Sequence, residues 1–236
     1  MSISIVIPTY NESGYIGTLL DSVERQEFDD YEIIVCDGGS EDNTLEIVEE
    51  HDVKIVHDDG GGPGKARNKG AEHASGDILL FLDADVKLEN EHVLTKVTDR
   101  INVENVIAGT SSWIPFDGSL KGKILLGIGS RLLKTMNDTG VGNVAVGNFL
   151  FIDKDVFDRI NGFDASLPFN EDHKLMEQAS SHGKTVTLDR QFYVSVRRVD
   201  EKGVLGTLND YIPPSIYYFL GKEETMKEKF RFETVG

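Results

Sequence analysis

The strongest constraint on the fold is the regular alternation of short apolar runs and helical patterns in the first 90 residues. Each run is short enough for one strand and is followed by polar or turn-forming residues; the runs are 3–7, 33–36, 53–56 and 78–82. Helical spacing separates them, as at 15–23 and 65–73. Chains that alternate in this way form a mostly parallel sheet with helices on both faces. We therefore predict an α/β fold with a single Rossmann-like domain.

The second part of the chain adds further strands and helices. Strands are predicted at 106–113 and 148–152, and helices at 120–136, 153–160, 171–180 and 204–220. The adjacent Pro213 and Pro214 are expected to break or kink the last helix, because proline lacks the N–H that continues a helix.

Composition narrows the range of partners and compartments. A chain of 236 residues with 39% hydrophobic residues can bury a sizeable core. Its net charge of −17 repels phosphate backbones, so we expect no nucleic-acid partner. The single Cys36 lies in an apolar run and is expected to be a buried, reduced thiol. With no signal-like segment and no apolar stretch near the roughly 20 residues that span a bilayer, we expect a cytoplasmic protein.

The glycine-rich segment at 59–70, DGGGPGKARNKG, looks like a phosphate-binding loop but fits neither common type. A P-loop needs a hydroxyl group directly after its lysine, and Ala66 stands there. The dinucleotide-binding pattern needs a third glycine where Arg67 stands. The segment therefore does not predict a loop that wraps phosphates.

Acidic residues follow the predicted strands at the edge of the sheet where ligands bind in such folds. Asp37 follows the second run, and Asp83 and Asp85 follow the fourth. The two aspartates repel each other, and a divalent cation would relieve that repulsion. Their hard oxygen atoms suit Mg²⁺ or Mn²⁺ beside substrate phosphates. A solvated loop after a strand is the simpler alternative.

A second acidic pair, Glu171 and Asp172, stands at the start of a predicted helix. Carboxylates in a first helical turn are commonly only favourable partners of the helix dipole. Next to a reacting hydroxyl group, either one could instead act as a general base.

Four segments together resemble, in order and spacing, the family 2 glycosyltransferases of the GT-A fold. They are SIVIPTYNES, EIIVCDGGSEDNT, GKARNKGAEHASGDILLFLDADV and GFDASLPFNEDHKL, and the resemblance covers roughly the first 200 residues. The resemblance implies a GT-A domain at 1–200, with a nucleotide-sugar-binding half at 1–112 and an acceptor-binding half at 113–200. A C-terminal helical extension at 201–236 would follow.

The resemblance also implies a role for each matching residue. Asp172 would be the catalytic base, and Asp83 and Asp85 would hold the Mg²⁺ or Mn²⁺ that bridges the diphosphate. The reaction implied is an inverting transfer from a UDP- or GDP-linked sugar to an acceptor hydroxyl or lipid phosphate. Arg67 resembles the family residue that contacts the base or ribose. The nucleotide-sugar pocket implied by the family comprises Pro8, Thr9, Tyr10, Glu12, Asp37, Arg67, Asp83, Ala84 and Arg198.

The chain departs from the family pattern at two positions. Gly38 stands where a second acid is common, so the expected contact to the base would depend on Asp37 alone. Lys87 stands where members that resemble dolichyl-phosphate mannose synthases carry a metal-binding glutamine, which weakens that particular resemblance.

The segment at 118–136 differs in charge from the rest of this acidic chain. It combines seven leucine and isoleucine residues with no acid, and its basic residues are Lys121, Lys123, Arg131 and Lys134. That combination is typical of a helix that lies on an anionic membrane. A membrane contact would favour a lipid-linked acceptor at the inner face of the cell membrane; the alternative is a lid or a core helix.

Two other functions fit parts of the pattern. A nucleotidyltransferase also uses metal-binding acids on an α/β sheet, but the loop PTYNESG after the first run lacks the basic residues expected there. A non-catalytic protein that binds sugar nucleotides would keep the fold without turnover.

Overall fold

The four apolar runs form strands and the segments between them form helices, as the alternation predicts. The computed structural model describes residues 1–58, 60–139 and 145–230. Its strands are β1 Ile3–Thr9, β2 Tyr31–Asp37, β3 Lys54–His57, β4 Ile78–Leu82, β5 Val86–Leu88, β6 Val106–Pro115, β7 Phe149–Asp153 and β8 Lys184–Val194. Its helices are α1 Ile16–Glu24, α2 Thr44–Val48, α3 Pro63–Glu72, α4 Val93–Glu104, α5 Leu120–Asp138, α6 Lys154–Arg159, α7 Glu171–Ser180, α8 Arg197–Phe219 and α9 Glu223–Lys229.

The strands of the described residues form one sheet in the order β3-β2-β1-β4-β7-β6-β8-β5. β1 pairs in parallel with β2 and β4, and β2 pairs in parallel with β3. β7 runs antiparallel between β4 and β6, while β6 and β8 are parallel. The prediction of a mostly parallel α/β sheet in a single domain is confirmed.

Strand β1 shows how the sheet buries both of its faces. Ile5 and Ile7 point into one apolar cluster, and Val6 between them points into the other. Alternate side chains of a strand face opposite sides, so a run without polar residues requires cover on both. Cys36 on the neighbouring strand is fully buried and free, which confirms the prediction of a buried thiol.

The helix does not break at Pro213 and Pro214, and the alternative of a kink there stays a prediction. Helix α8 continues through both prolines, and its interruption lies at Gly203, where φ is 71° and ψ is 166°. This backbone region is essentially reserved for glycine, so the chain turns there. Strands β5 and β8 and helix α4 were not predicted from the sequence.

The C-terminal helices contact the rest of the fold through a small apolar cluster. Tyr218 of α8 and Met226 of α9 pack with Leu167 from the loop before α7. The division at 112/113 and the boundary at 200/201 stay predictions, and residues 231–236 lie outside the described part. Within the described residues, each helix is too short or too polar to span a membrane.

Candidate active site

The predicted site residues at the ends of β1, β2 and β4 meet at one edge of the sheet. Thr9 and Asp37 are direct partners in the β1–β2 register, and both end their strands. Asp83 follows β4, which pairs with the other side of β1. The parallel topology therefore brings residues from three separate segments to one place.

Asp37 organises the loop that follows β2. Its carboxylate accepts hydrogen bonds from the backbone N–H of Gly39 at 2.9 Å and of Ser40 at 3.0 Å. The Ser40 hydroxyl in turn accepts one from the Asn11 N–H at 2.9 Å, which ties the loop to the end of β1. The contact of Asp37 to a nucleotide base stays a prediction.

Arg67 of α3 joins Asp83 to the first residue of α7. One terminal nitrogen lies 2.7 Å from Asp83 Oδ1, and the other lies 2.8 Å from Glu171 Oε1. Burial acts to lower the pKa of Arg67, but the charges of Asp83 and Glu171 outweigh burial and raise it. The guanidinium therefore stays charged.

Arg67 pairs with both Asp83 and Glu171, so its positive charge only partly offsets the negative charge of Glu171. Burial, and then the neighbouring Asp172 carboxylate, raise the pKa of Glu171 to about 7, and Arg67 opposes this rise. Because Arg67 also pairs with Asp83, its charge does not cancel the free-energy cost of burying the ionised Glu171 carboxylate.

Asp85 lies near a second arginine, Arg197, which it shares with Glu12. Strand β5 begins directly after Asp85 and pairs antiparallel with the end of β8, so the chain that leaves β8 returns to this point. A terminal nitrogen of Arg197 lies 2.6 Å from Glu12 Oε1 and 3.5 Å from Asp85 Oδ2. Its guanidinium also lies over the Tyr15 ring, 4.4 Å from the ring centre.

The electrostatics of Asp83 and Asp85 fit a divalent cation. Burial, and then the charge of Asp83, raise the pKa of Asp85 to about 7, although Arg197 lowers it. Burial likewise raises the pKa of Glu12. Excess negative charge in a partly buried place is what a metal ion relieves, and the available ligands are hard carboxylate oxygens. The side chains of Asp83 and Asp85 are 31% and 21% exposed, so both can be reached from solvent.

Asp172 lies in the first turn of α7, next to Glu171. Its Oδ1 accepts a hydrogen bond from the backbone N–H of His173 at 2.8 Å, and its side chain is 17% exposed. The Nδ1 atom of His173 accepts a hydrogen bond from the Ala145 N–H at 3.0 Å, so this imidazole anchors the chain before β7.

The remaining predicted pocket residues vary in burial. Ala84 and Thr9 are buried, and the Thr9 hydroxyl has no hydrogen-bond partner among the described residues. Pro8 and Tyr10 are half-buried. Arg198 is close enough to Glu12 and Asp85 to lower the pKa of each.

An open cavity of about 360 Å³ adjoins this group of residues. It is lined by Tyr15, Asp117, Gly118, Arg197, Asp200 and Glu201. A second cavity, of about 310 Å³, is lined by residues of α4, α5, α7 and β8, and Arg197 is not among them. The first cavity is therefore the one beside the candidate chemistry.

Comparison with known proteins agrees with this fold and identifies the family. The family model described as glycosyl transferase family 2 matches residues 4–161, which is more than half of the chain. The chain therefore belongs to glycosyl transferase family 2. This membership argues against a nucleotidyltransferase.

Known relatives match part of the chain. Poly(ribitol-phosphate) β-N-acetylglucosaminyltransferase TarS of Staphylococcus aureus is 38% identical over 99 residues, which is 39% of this chain and 17% of that protein. The crystal structure of S. aureus TarS 1–349 with UDP covers 83% of this chain and 60% of its own, with a TM-score of 0.66 and 23% identity. The mannosyltransferase PcManGT of Pyrobaculum calidifontis, solved with GDP-Man and Mn²⁺, covers 82% and 56%, with a TM-score of 0.66 and 18% identity. These likenesses confirm the GT-A fold.

Proposed function

We propose that this chain is a metal-dependent, inverting glycosyltransferase that uses a nucleoside-diphosphate sugar as donor. One observation carries the proposal. The carboxylate of Asp83, which lies two residues before Asp85 at the end of β4, is linked through Arg67 and Glu171 to the helix turn that holds Asp172. A paired acidic site and a separate carboxylate are what diphosphate departure and acceptor activation require.

The sheet edge at the ends of β1, β2 and β4 would bind the donor. Asp83 and Asp85 would hold Mg²⁺ or Mn²⁺, which neutralises charge on the leaving diphosphate. Arg198 would contact the diphosphate, and the loops after β1 and β2 would hold the nucleoside. The donor is UDP- or GDP-linked, a proposal supported by the similar folds solved with UDP and with GDP-Man and Mn²⁺.

The acceptor half falls to Asp172. As a general base, its carboxylate would take the proton from an acceptor hydroxyl while that oxygen attacks the anomeric carbon opposite the leaving group. One such displacement inverts the anomeric configuration. A lipid phosphate is already ionised, so Asp172 would be less important for that acceptor than for a hydroxyl.

The acceptor is proposed to be a glycan or a lipid-linked molecule of the cell surface. Four aliphatic side chains of α5 are each more than half exposed, and they recur every fourth residue: Leu120, Ile124, Ile128 and Leu132. Residues 118–136 would place this face on the inner side of the cell membrane.

Calorimetric titration with UDP and GDP, each with and without Mn²⁺, tests the donor site. We expect one of them to bind in a metal-dependent manner. Asp85→Ala should abolish that dependence, whereas Asp172→Asn should keep donor binding and remove sugar transfer. Donor binding lost in Asp172→Asn but kept in Asp85→Ala would reverse the two roles. Unchanged transfer in Asp172→Asn would indicate that Asp172 is not the base.

A further inference from the structure

The buried guanidinium of Arg67 links the two acidic parts of the site but takes no part in the proposed transfer step itself. Arg67 is 2% exposed, and its two terminal nitrogens are directed at different carboxylates. Asp83 belongs to the predicted metal pair. Glu171 lies 104 positions further along the chain than Arg67 and directly precedes Asp172.

The residues that surround the Arg67 guanidinium restrict where it can lie. A Cβ atom at Gly147 would lie 2.6 Å from one terminal nitrogen of Arg67, so a side chain there would have to displace the guanidinium. A Cβ atom at Gly64 would lie 3.3 Å from Cγ of Glu171. On a third side, the guanidinium lies 5.5 Å from the centre of the Phe163 ring. A planar guanidinium that is bonded to both carboxylates and packed in this way fixes the position of one carboxylate relative to the other.

We propose that Arg67 is a positioning residue that fixes Asp83 relative to the first turn of α7. The metal-binding carboxylate and the Asp172 carboxylate then keep one geometry while donor and acceptor enter. This inference depends on the proposed function, which it deepens. It differs from the contact to base or ribose that the family resemblance implies, because Arg67 is 2% exposed and both terminal nitrogens hydrogen-bond to carboxylates.

Lysine cannot replace arginine in this role. Arg67→Lys keeps the positive charge, but a single ammonium group cannot hold two carboxylates on opposite sides in a fixed plane. Glu171→Ala removes one end of the link and leaves the metal pair itself intact. Glu171→Gln keeps an oxygen that accepts from Arg67, so this conservative variant should restore much of what alanine loses.

The test is the Mn²⁺ concentration that gives half-maximal binding of UDP, or of GDP if that is the nucleotide bound. We expect Arg67→Lys and Glu171→Ala each to raise it by about tenfold or more, which corresponds to roughly 1.4 kcal/mol. Glu171→Gln should recover most of the loss. The double variant Arg67→Lys, Glu171→Ala should be no worse than Arg67→Lys, because both changes break the same link.

Glu177→Ala is the matched control, since it removes another acid from α7. Wild-type binding in Glu171→Ala, or effects of the two single variants that simply multiply, would overturn the inference in favour of a direct nucleotide contact by Arg67. If Arg67→Lys does not fold, as judged by its melting curve, the two Glu171 variants carry the test. A wild-type protein without metal-dependent binding would instead refute the proposed function itself.

Discussion

At the scale of single residues, the raised pKa of Asp85 predicts that the proposed metal binding depends on pH. Its pKa is raised to about 7, first by burial and then by Asp83. A raised pKa means that the Asp85 carboxyl group keeps its proton up to a higher pH. Near pH 6, a metal ion must therefore displace that proton in order to bind. Near pH 8 the carboxylate is already ionised. We therefore expect Mn²⁺-dependent nucleotide binding to weaken by about tenfold from roughly pH 8 to roughly pH 6.

The nucleotide itself takes up protons in this range, so its own affinity for Mn²⁺ has to be measured without protein at both pH values. After that correction, equal affinities at the two values would mean that Asp85 is ionised throughout. The prediction would then be wrong, and Arg197 would be a stronger partner of Asp85 than its 3.5 Å distance indicates.

The sequence predicts where the acidic residues of this site lie, but it does not predict which residues they pair with. Asp37, Asp83 and Asp85 each follow an apolar run, and parallel strands bring such ends together, so a local pattern was sufficient. The contact between Arg67 and Glu171 joins residues 104 positions apart. No local pattern encodes such a pair. The sequence identified both residues and missed the link between them.

At the scale of elements, two glycines in helices have opposite roles. A Cβ atom at Gly70 of α3 would lie 2.3 Å from Cγ1 of Val6 and 2.7 Å from the sulfur of Cys36, so the helix rests directly on the sheet. Gly127 of α5 has nothing within 4 Å of that position. Gly70→Ala should therefore destabilise the fold by about 1–3 kcal/mol through overpacking. Gly127→Ala should stabilise it by about 0.5–1 kcal/mol, because alanine favours the helix.

Urea denaturation of the two variants and the wild type measures both changes in the free energy of unfolding. Each variant serves as the control for the other, since both replace a helical glycine by alanine. Destabilisation by Gly127→Ala would show that α5 depends on the space at that position. An unchanged stability of Gly70→Ala would show that α3 can move away from β1 at little cost.

Among the elements, sequence patterns failed where the local signal was mixed. Strand β8 contains Asp189, Arg190 and Gln191, and the register of its pairing with β6 shifts at two places, so simple alternation does not mark it. The two prolines of α8 gave a strong local signal for a break. Gly203 accommodates the change of direction instead, because its backbone adopts angles that other residues avoid.

At the scale of the whole molecule, charge and apolar exposure are unevenly distributed. The chain has a net charge of −17, yet residues 118–136 contain four basic residues and no acid. The same segment exposes four aliphatic side chains at intervals of four residues along α5. An acidic protein is repelled by an anionic membrane, so a local basic and apolar face would set the orientation in which it binds.

Vesicle flotation tests whether this face binds membranes. We expect the protein to float with vesicles that contain anionic lipid at about 50 mM salt and much less at about 500 mM, because salt screens the basic side chains. Replacing Ile124 and Ile128 together by serine should weaken binding by about tenfold or more, since each buried aliphatic side chain contributes roughly 1.5–3 kcal/mol. Val103→Ser is the matched control, because Val103 is 76% exposed on α4. Equal loss in the control, or no flotation of the wild type at low salt, would leave α5 as a lid over the sheet and remove the argument for a membrane-bound acceptor.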